Sequence, residues 1–318
     1  MQFGLMIMTR GPGRDGAGLL AMAQAAESGG LDYLAVNDHV LVPGDIDSRY
    51  PYSDDGVWAG AAAGECLETV TATAFIAAAT SRIRLLTSVM VVPHRPAALA
   101  AKMLTTVEVL SNGRLTVGCG AGWLREEFQA LGLPPFAERG KVTDEYIAAF
   151  RELWTAEKPN FSGEYVRFSD VVFEPKPLQK PHPPVWIGGE SPPAIRRAAR
   201  LGDGWYPASH NPGFPLDTPG RYAEALKRLH EEADKQGRDP RAIHRAYFAI
   251  RPLETTSQTE DGVRRPLSGA PSEVAEDIAA FAERDVETII FNIIAPELDQ
   301  VVDRVNWLTG EVLPLILK

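Results

Sequence analysis

Cysteine is scarce: Cys66 and Cys119 are the two in 318 residues. They are too few and too far apart for a disulfide framework or a thiolate metal cluster, and such usage fits a reducing compartment, so a cytoplasmic protein is expected. Long apolar runs are missing too. None approaches the ~20 residues a membrane helix requires, so no membrane partner is expected. Gln2 enters an apolar run at once with no basic leader, so no signal peptide is expected either. Positive charge is in deficit, with 32 Lys and Arg against 42 Asp and Glu and a net charge of −10. That balance speaks against a nucleic-acid partner, which needs a basic face. No Gly/Ser linker, internal repeat or low-complexity tract divides the chain, so one domain over residues 1–318 is expected.

What is present is an ordinary globular composition, 45% hydrophobic and 23% charged. Apolar strand-like runs alternate with helical patterns along the whole chain. The strand readings are Gln2 to Met8, Asp32 to Val36, Ile83 to Val92, Arg114 to Cys119, Val185 to Ile187, Asp203 to Tyr206, Ile243 to Ile250 and Val286 to Ile293. Helical spacing covers Asp15 to Ser28, Leu67 to Thr80, Pro96 to Leu110, Glu138 to Trp154, Pro192 to Leu201, Arg221 to Gln236, Ser272 to Glu283 and Leu298 to Leu317. This alternation predicts parallel strands with right-handed crossovers. Eight such units favour a closed (β/α)8 TIM barrel, with a doubly wound open sheet as the alternative. Two long insertions, at about 41–64 and 158–184, are expected at the C-terminal face of the strands and are read as a roof over a substrate.

In such a barrel the site lies at the C-terminal strand ends. Those ends read Met8-Thr9-Arg10, Asn37-Asp38-His39, Ser88-Val89-Met90, Gly120-Ala121-Gly122-Trp123, Gly188-Gly189-Glu190-Ser191 and Trp205-Tyr206. A histidine beside a carboxylate, His39 with Asp38, can shuttle protons near neutral pH. The plainer alternative is that Asp38 braces a loop and His39 packs. No His-x-His follows the first strand, and no later strand end offers a His or acidic cluster, so no metal is expected. Gly188-Gly189-Glu190-Ser191 opens a helix with Ser191 as its natural N-cap, where backbone N–H groups attract phosphate; a tight turn is the alternative. Trp123 reads as an aromatic wall or as lid packing, and His94-Arg95 as a potential ligand contact. Asn112-Gly113-Arg114 falls at the opposite face, and Arg114 is expected to pair with Glu108 there.

Six segments together resemble the bacterial luciferase-like monooxygenase superfamily, and within it the coenzyme F420-dependent oxidoreductases. They are Val36 to His39, Thr80 to Leu85, Leu110 to Arg114, Gly120 to Phe128, Pro183 to Gly189 and Gly202 to Trp205. The resemblance implies a (β/α)8 barrel with a deazaflavin or flavin ring across its mouth, F420 or alternatively FMN. It implies that Asp38 and His39 are catalytic and lie by the ring. It implies a cis peptide at Ser88-Val89 under the ring, and cofactor contacts from Gly120, Gly122, Trp123, Gly188, Gly189, Glu190, Ser191 and Trp205. The activity it implies is hydride transfer between reduced F420 and an organic small molecule; reduced FMN with oxygen, or flavin binding without turnover, are the alternatives. A homodimer is expected, since barrels of this type often dimerise. One position departs from the pattern: where the sugar-phosphate dehydrogenases of the family place a proton-donating glutamate, this chain has Trp123. Glu126 and Glu127 lie a turn further on and are expected to face elsewhere.

Overall fold

The computed structural model describes residues 1–252, 257–259 and 262–316. The strands are β1 (Gln2–Ile7), β2 (Tyr33–Val36), β3 (Arg84–Thr87), β4 (Met90–Val91), β5 (Leu115–Gly120), β6 (Phe161–Ser162), β7 (Arg167–Phe168), β8 (Val185–Gly188), β9 (Gly204–Tyr206), β10 (His244–Pro252) and β11 (Thr288–Asn292). All pairings around the main sheet are parallel, in the order β3-β2-β1-β11-β10-β9-β8-β5-β4, and a β3–β5 pairing closes it. Because β4 continues β3 after a short break, the barrel has eight staves. The doubly wound alternative is thereby excluded.

The helices are α1 (Gly16–Ser28), α2 (Thr69–Ala79), α3 (Ala97–Leu110), α4 (Arg125–Ala130), α5 (Arg139–Thr155), α6 (Pro192–Leu201), α7 (Pro219–Lys235), α8 (Pro271–Ala282), α9 (Leu298–Trp307) and α10 (Leu313–Ile316). Strand alternation explains the two apolar layers. Leu115, Val117 and Cys119 of β5 face the helices and join the large outer core, while Met6, Leu86, Trp186, Tyr206, Phe248 and Ile290 fill the barrel interior. None of the described helices is long and apolar enough to cross a membrane. The last helix is not continuous: five π-helical residues, Leu308–Val312, separate α9 from α10. Gly310 weakens the helix there, and Pro314 withholds the amide that would bond back to it. Leu317, the expected end of that helix, lies outside the described residues.

Two expectations fail for topological reasons. The expected third strand is broken, because its chain turns at a cis Ser88–Val89 peptide between β3 and β4. The 158–184 segment does not roof the mouth. It leaves α5 and leads into β8, and a helix-to-strand connection in this fold lies at the N-terminal face. Its contacts agree. Gln179 bonds Glu108 and the Leu115 carbonyl at the foot of β5, and Lys176 bonds the carbonyls of Leu153 and Ala156. Its short hairpin, β6 with β7, is held by Glu145 of α5 through the amides of residues 164–166. Only the 41–64 insertion follows a strand and reaches the mouth.

The expected Arg114–Glu108 pair is also absent. Arg114 instead donates to the carbonyls of Ala77, Thr80, Ile83 and Ser111 and to Thr80 Oγ1, capping the C-terminal end of α2. Glu108, fully buried, accepts from the Leu115 amide and from Gln179. Asn112 and Gly113 make the turn between them with φ of 54° and 80°, the left-handed region that Asn and Gly tolerate. The segment is scaffold on the face away from the mouth.

Candidate active site at the barrel mouth

The cis bulge is built into the floor of the mouth. Val89 projects sideways between β5 and β8. A Cβ added to Gly120 would stand 2.5 Å from Val89 Cγ2, and one added to Gly188 would stand 2.9 Å from Val89 Cγ1. Both glycines are therefore required by a neighbouring side chain, which is the close approach that glycine in a strand signals. Gly118 has the same kind of role: its Cβ would meet the Thr87 carbonyl at 2.0 Å. Beside the bulge, Ser88 Oγ and the buried Tyr206 Oη share a hydrogen bond of 2.9 Å.

Asp38 is buried and its carboxylate is fully engaged. It takes a bidentate pair from Arg95 at 2.8 and 2.9 Å and a bond from the Val91 amide at 2.9 Å. Arg95 also binds Glu68, the N-cap of α2. Two anions raise Arg95 well above its ordinary value despite burial, which opposes them. Asp38 thus ties the end of β2 to the strand that follows the cis peptide. It does not touch His39, so the expected Asp38–His39 partnership is replaced by another.

That partner is Glu127, which the sequence reading had turned away from the site. Helix α4 points it inward, 1% exposed, with Oε2 2.9 Å from His39 Nδ1. Its Oε1 accepts from the amides of Val40 and Leu41 at 2.7 and 3.2 Å. His94 Nε2 lies 3.9 Å from the same carboxylate. Burial lifts the Glu127 carboxyl, but the His39 hydrogen bond, the charges of His39 and His94 and the Val40 amide outweigh it and hold it below the usual carboxylate range. Burial pushes His94 down, against the pull of Glu127. Glu126 and Glu127 lie about 100° apart around α4, and a six-residue helix offers too little periodicity to say from sequence which of them turns inward.

His39 Nδ1 is fixed by Glu127, and its Nε2 makes no hydrogen bond among the described residues. Its ring lies 4.4 Å from Trp58 and 6.4 Å, edge-on, from Trp123. Tyr50 closes the group, 5.1 Å from Trp123 and 6.4 Å from Trp58. Trp123 is therefore a wall. Tyr50 and Trp58, with Tyr52 packed onto the top of the barrel core, come from the 41–64 insertion. Glu126 fastens that insertion by accepting from the amides of Asp47 and Ser48. Gly122, at φ 86°, admits no side chain, since a Cβ would meet Phe128 at 2.7 Å and Val91 at 2.8 Å.

After β8 the segment expected to hold a phosphate forms a glycine turn into a helix N-terminus. Gly189 has φ 110° and α6 starts at Pro192 with Ser191 as N-cap. Pro192 and Pro193 supply no N–H, so two amides usual at a helix N-terminus are missing. Ser191 makes no side-chain cap bond, which leaves its hydroxyl free to turn outward. Glu190 is a correction. Its buried carboxylate accepts from the Ala208 amide and from Asn211 Nδ2, bracing the loop after β9, and burial raises it to about 7. Trp205 is another. Fully buried on the helix side of β9, it stacks on Tyr222 and donates Nε1 to the Gly189 carbonyl; alternation puts Tyr206, not Trp205, inside the barrel.

The residues fit a flat, carbonyl-bearing cofactor. The mouth has an aromatic wall, a glycine-relieved floor and two buried donors without partners among the described residues, Asn37 Nδ2 and Arg10 Nη1. Arg10 lies 5.0 Å over the Trp58 ring and has no carboxylate partner among the described residues.

The comparisons with known proteins agree. A profile of the luciferase-like monooxygenase family matches residues 1–287. An uncharacterised protein of Mycobacterium tuberculosis is 35% identical over 246 residues, covering 77% of this chain and 80% of its own. The FMNH2-dependent dimethylsulfone monooxygenase of Pseudomonas putida is 28% identical over 310 residues, 84% of each chain. In fold, an F420-dependent secondary alcohol dehydrogenase, solved with an F420–acetone adduct, superposes with a TM-score of 0.75 at 18% identity, covering 99% of this chain and 98% of its own. With residues 1–287 matched and its barrel closed, the chain belongs to the luciferase-like monooxygenase family, a family of flavin- or F420-dependent oxidoreductases.

Proposed function

We propose that the chain transfers hydride between coenzyme F420 and an organic substrate, with His39 carrying the balancing proton. The observation that carries this reading is the His39–Glu127 pair: a histidine held at Nδ1 by a buried carboxylate, its Nε2 unbonded, inside an aromatic box. Glu127 fixes the proton of neutral His39 on Nδ1 and stabilises the charged ring after Nε2 takes a second proton. Nε2 is then the atom that accepts or returns a proton. When bound, F420 supplies a two-electron hydride. Arg10 and Asn37 would donate to its ring, Gly189 and Ser191 would hold its phosphate, and Trp58, Trp123 and Tyr50 would exclude water.

A second reading is favoured by the 28% identity to the dimethylsulfone monooxygenase: reduced FMN with oxygen. Melting curves with each reduced cofactor distinguish the two, because a ligand that binds only the folded chain raises its melting temperature. The first reading expects the larger rise with F420 and an anaerobic turnover that His39→Ala lowers at every pH. A larger rise with FMN, coupled to oxygen uptake, would establish the second. Unchanged turnover in His39→Ala would remove the proton role.

A further inference from the structure

A second polar cluster lies on the rim, three staves round from β2. Arg251 stands near the end of β10, His210 in the loop after β9, and Asp54 in the 41–64 insertion. The Asp54 carboxylate bridges the other two. Its Oδ1 is 3.0 Å from His210 Nε2 and its Oδ2 is 3.4 Å from Arg251 Nη2. Arg251 Nη2 is also 3.2 and 3.1 Å from the two ring nitrogens of His210. Near-equal distances to both nitrogens describe a contact on the ring, not a bond along one lone pair, so the guanidinium keeps its donors. Its Nε is buried and has no partner among the described residues.

Burial in this cluster is lopsided. The His210 side chain is 10% exposed and Arg251 36%, whereas Asp54 is 71% exposed. Two nitrogen groups set into the rim are thus met by an anion that stays in water. An exposed ion pair of this kind is weak, because water screens both charges. Another carboxylate that arrives on a bound molecule, and is itself desolvated there, makes the stronger contact. The surroundings suit an acid with an apolar body, since Tyr52 and Ile250, which pack on the barrel core, lie within two residues of Asp54 and Arg251.

We propose that His210 and Arg251 form an anion subsite that receives a carboxylate carried by the organic substrate, and that Asp54 occupies the same position in its absence. The assignment to substrate rests on reading the mouth as the redox site. A cofactor phosphate is the other anion that the mouth must take, but its expected cradle follows β8, two staves from β10, and Asp54 belongs to the insertion that covers the mouth.

The test is calorimetric titration of the full chain with matched probes: octanoate against octanol, and benzoate against benzyl alcohol. The chains are wild type, Asp54→Asn and Arg251→Gln, each first shown to melt like wild type. Asp54→Asn should bind the acids about three- to fivefold more tightly than wild type does and prefer them to the alcohols; Arg251→Gln should lose the preference. Equal affinity for acids and alcohols in Asp54→Asn would overturn the proposal. So would an Arg251→Gln chain that loses instead its preference for FMN over riboflavin, or for F420 over its phosphate-free deazaflavin core, since the anion would then be the cofactor's. Acid preference without binding of any flavin or deazaflavin supports the subsite and overturns the redox reading.

Discussion

Replacing Glu127 by glutamine tests the centre of the site without any knowledge of the substrate. The carboxylate makes three bonds from one buried position, to His39 Nδ1 and to the amides of Val40 and Leu41. The glutamine side chain keeps one acceptor oxygen. If that oxygen stays on the two amides, its NH2 faces His39 Nδ1 and forces the ring proton to Nε2. The lost charge-assisted bond is worth about 1.5–3 kcal/mol. At about 2.1 cal/mol/K of unfolding entropy per residue, 318 residues give roughly 1.5 °C per kcal/mol, so the melting temperature should fall by roughly 2–5 °C. A double-mutant cycle with His39→Gln should return a coupling of about 2 kcal/mol. The same 2 kcal/mol, acting on the charged ring, lowers kcat by roughly 30-fold. Acid should erase the difference in melting. A carboxyl held below its ordinary 4.5 in the folded chain stabilises it above that value, and the gain disappears as pH falls through the folded value. The gap between wild type and Glu127→Gln should therefore be full at pH 7 and shrink below pH ~4. A melting temperature within 1 °C of wild type, or a coupling near zero, would refute the pairing.

Other residues give sharp outcomes. Gly120→Ala drives a methyl into Val89 and should cost about 1–3 kcal/mol by overpacking, with Val89→Ala in the same chain restoring much of it in denaturant titrations. Asp38→Ala leaves Arg95 buried beside Glu68 alone and should cost about 3–5 kcal/mol, more than Asp38→Asn, as read by melting. Glu190 shows the opposite pH sign to Glu127. Its folded value of about 7 lies above the unfolded 4.5, so its contribution is best at low pH and is lost as pH rises through 7. Glu190→Gln should gain on wild type in melting temperature as pH rises from about 4.5 to about 7 and hold that gain above it, and no relative gain would show that Glu190 ionises freely.

The barrel was legible because its period is regular: short apolar strands buried on both faces, each followed by an amphipathic helix. The cis Ser88–Val89 position, implied by the family resemblance, and the scaffold role of Asn112 to Arg114 were also foreseen. What escaped shares one cause, direction in space. Trp205 and Tyr206 are adjacent, and only the barrel's alternation says which faces in. Glu127 is a turn beyond the strand end, and a short six-residue helix gives too little periodicity to aim it. The 158–184 segment has the composition of a functional loop, yet helix-to-strand connections belong to the opposite face. Arg251, His210 and Asp54 are 41 and 197 residues apart in the pairs they form, a distance that no local pattern spans.

Helix α4 fastens the roof in a way that bears on how the protein can change. Glu126 and Glu127 hold the incoming chain largely through backbone amides, those of Asp47 and Ser48 and those of Val40 and Leu41. An amide is the same at every residue except proline. The roof can therefore exchange its side chains, and with them its choice of substrate, while its moorings stay intact. A transplanted insertion would keep these four bonds as long as it brings non-proline residues to the four positions.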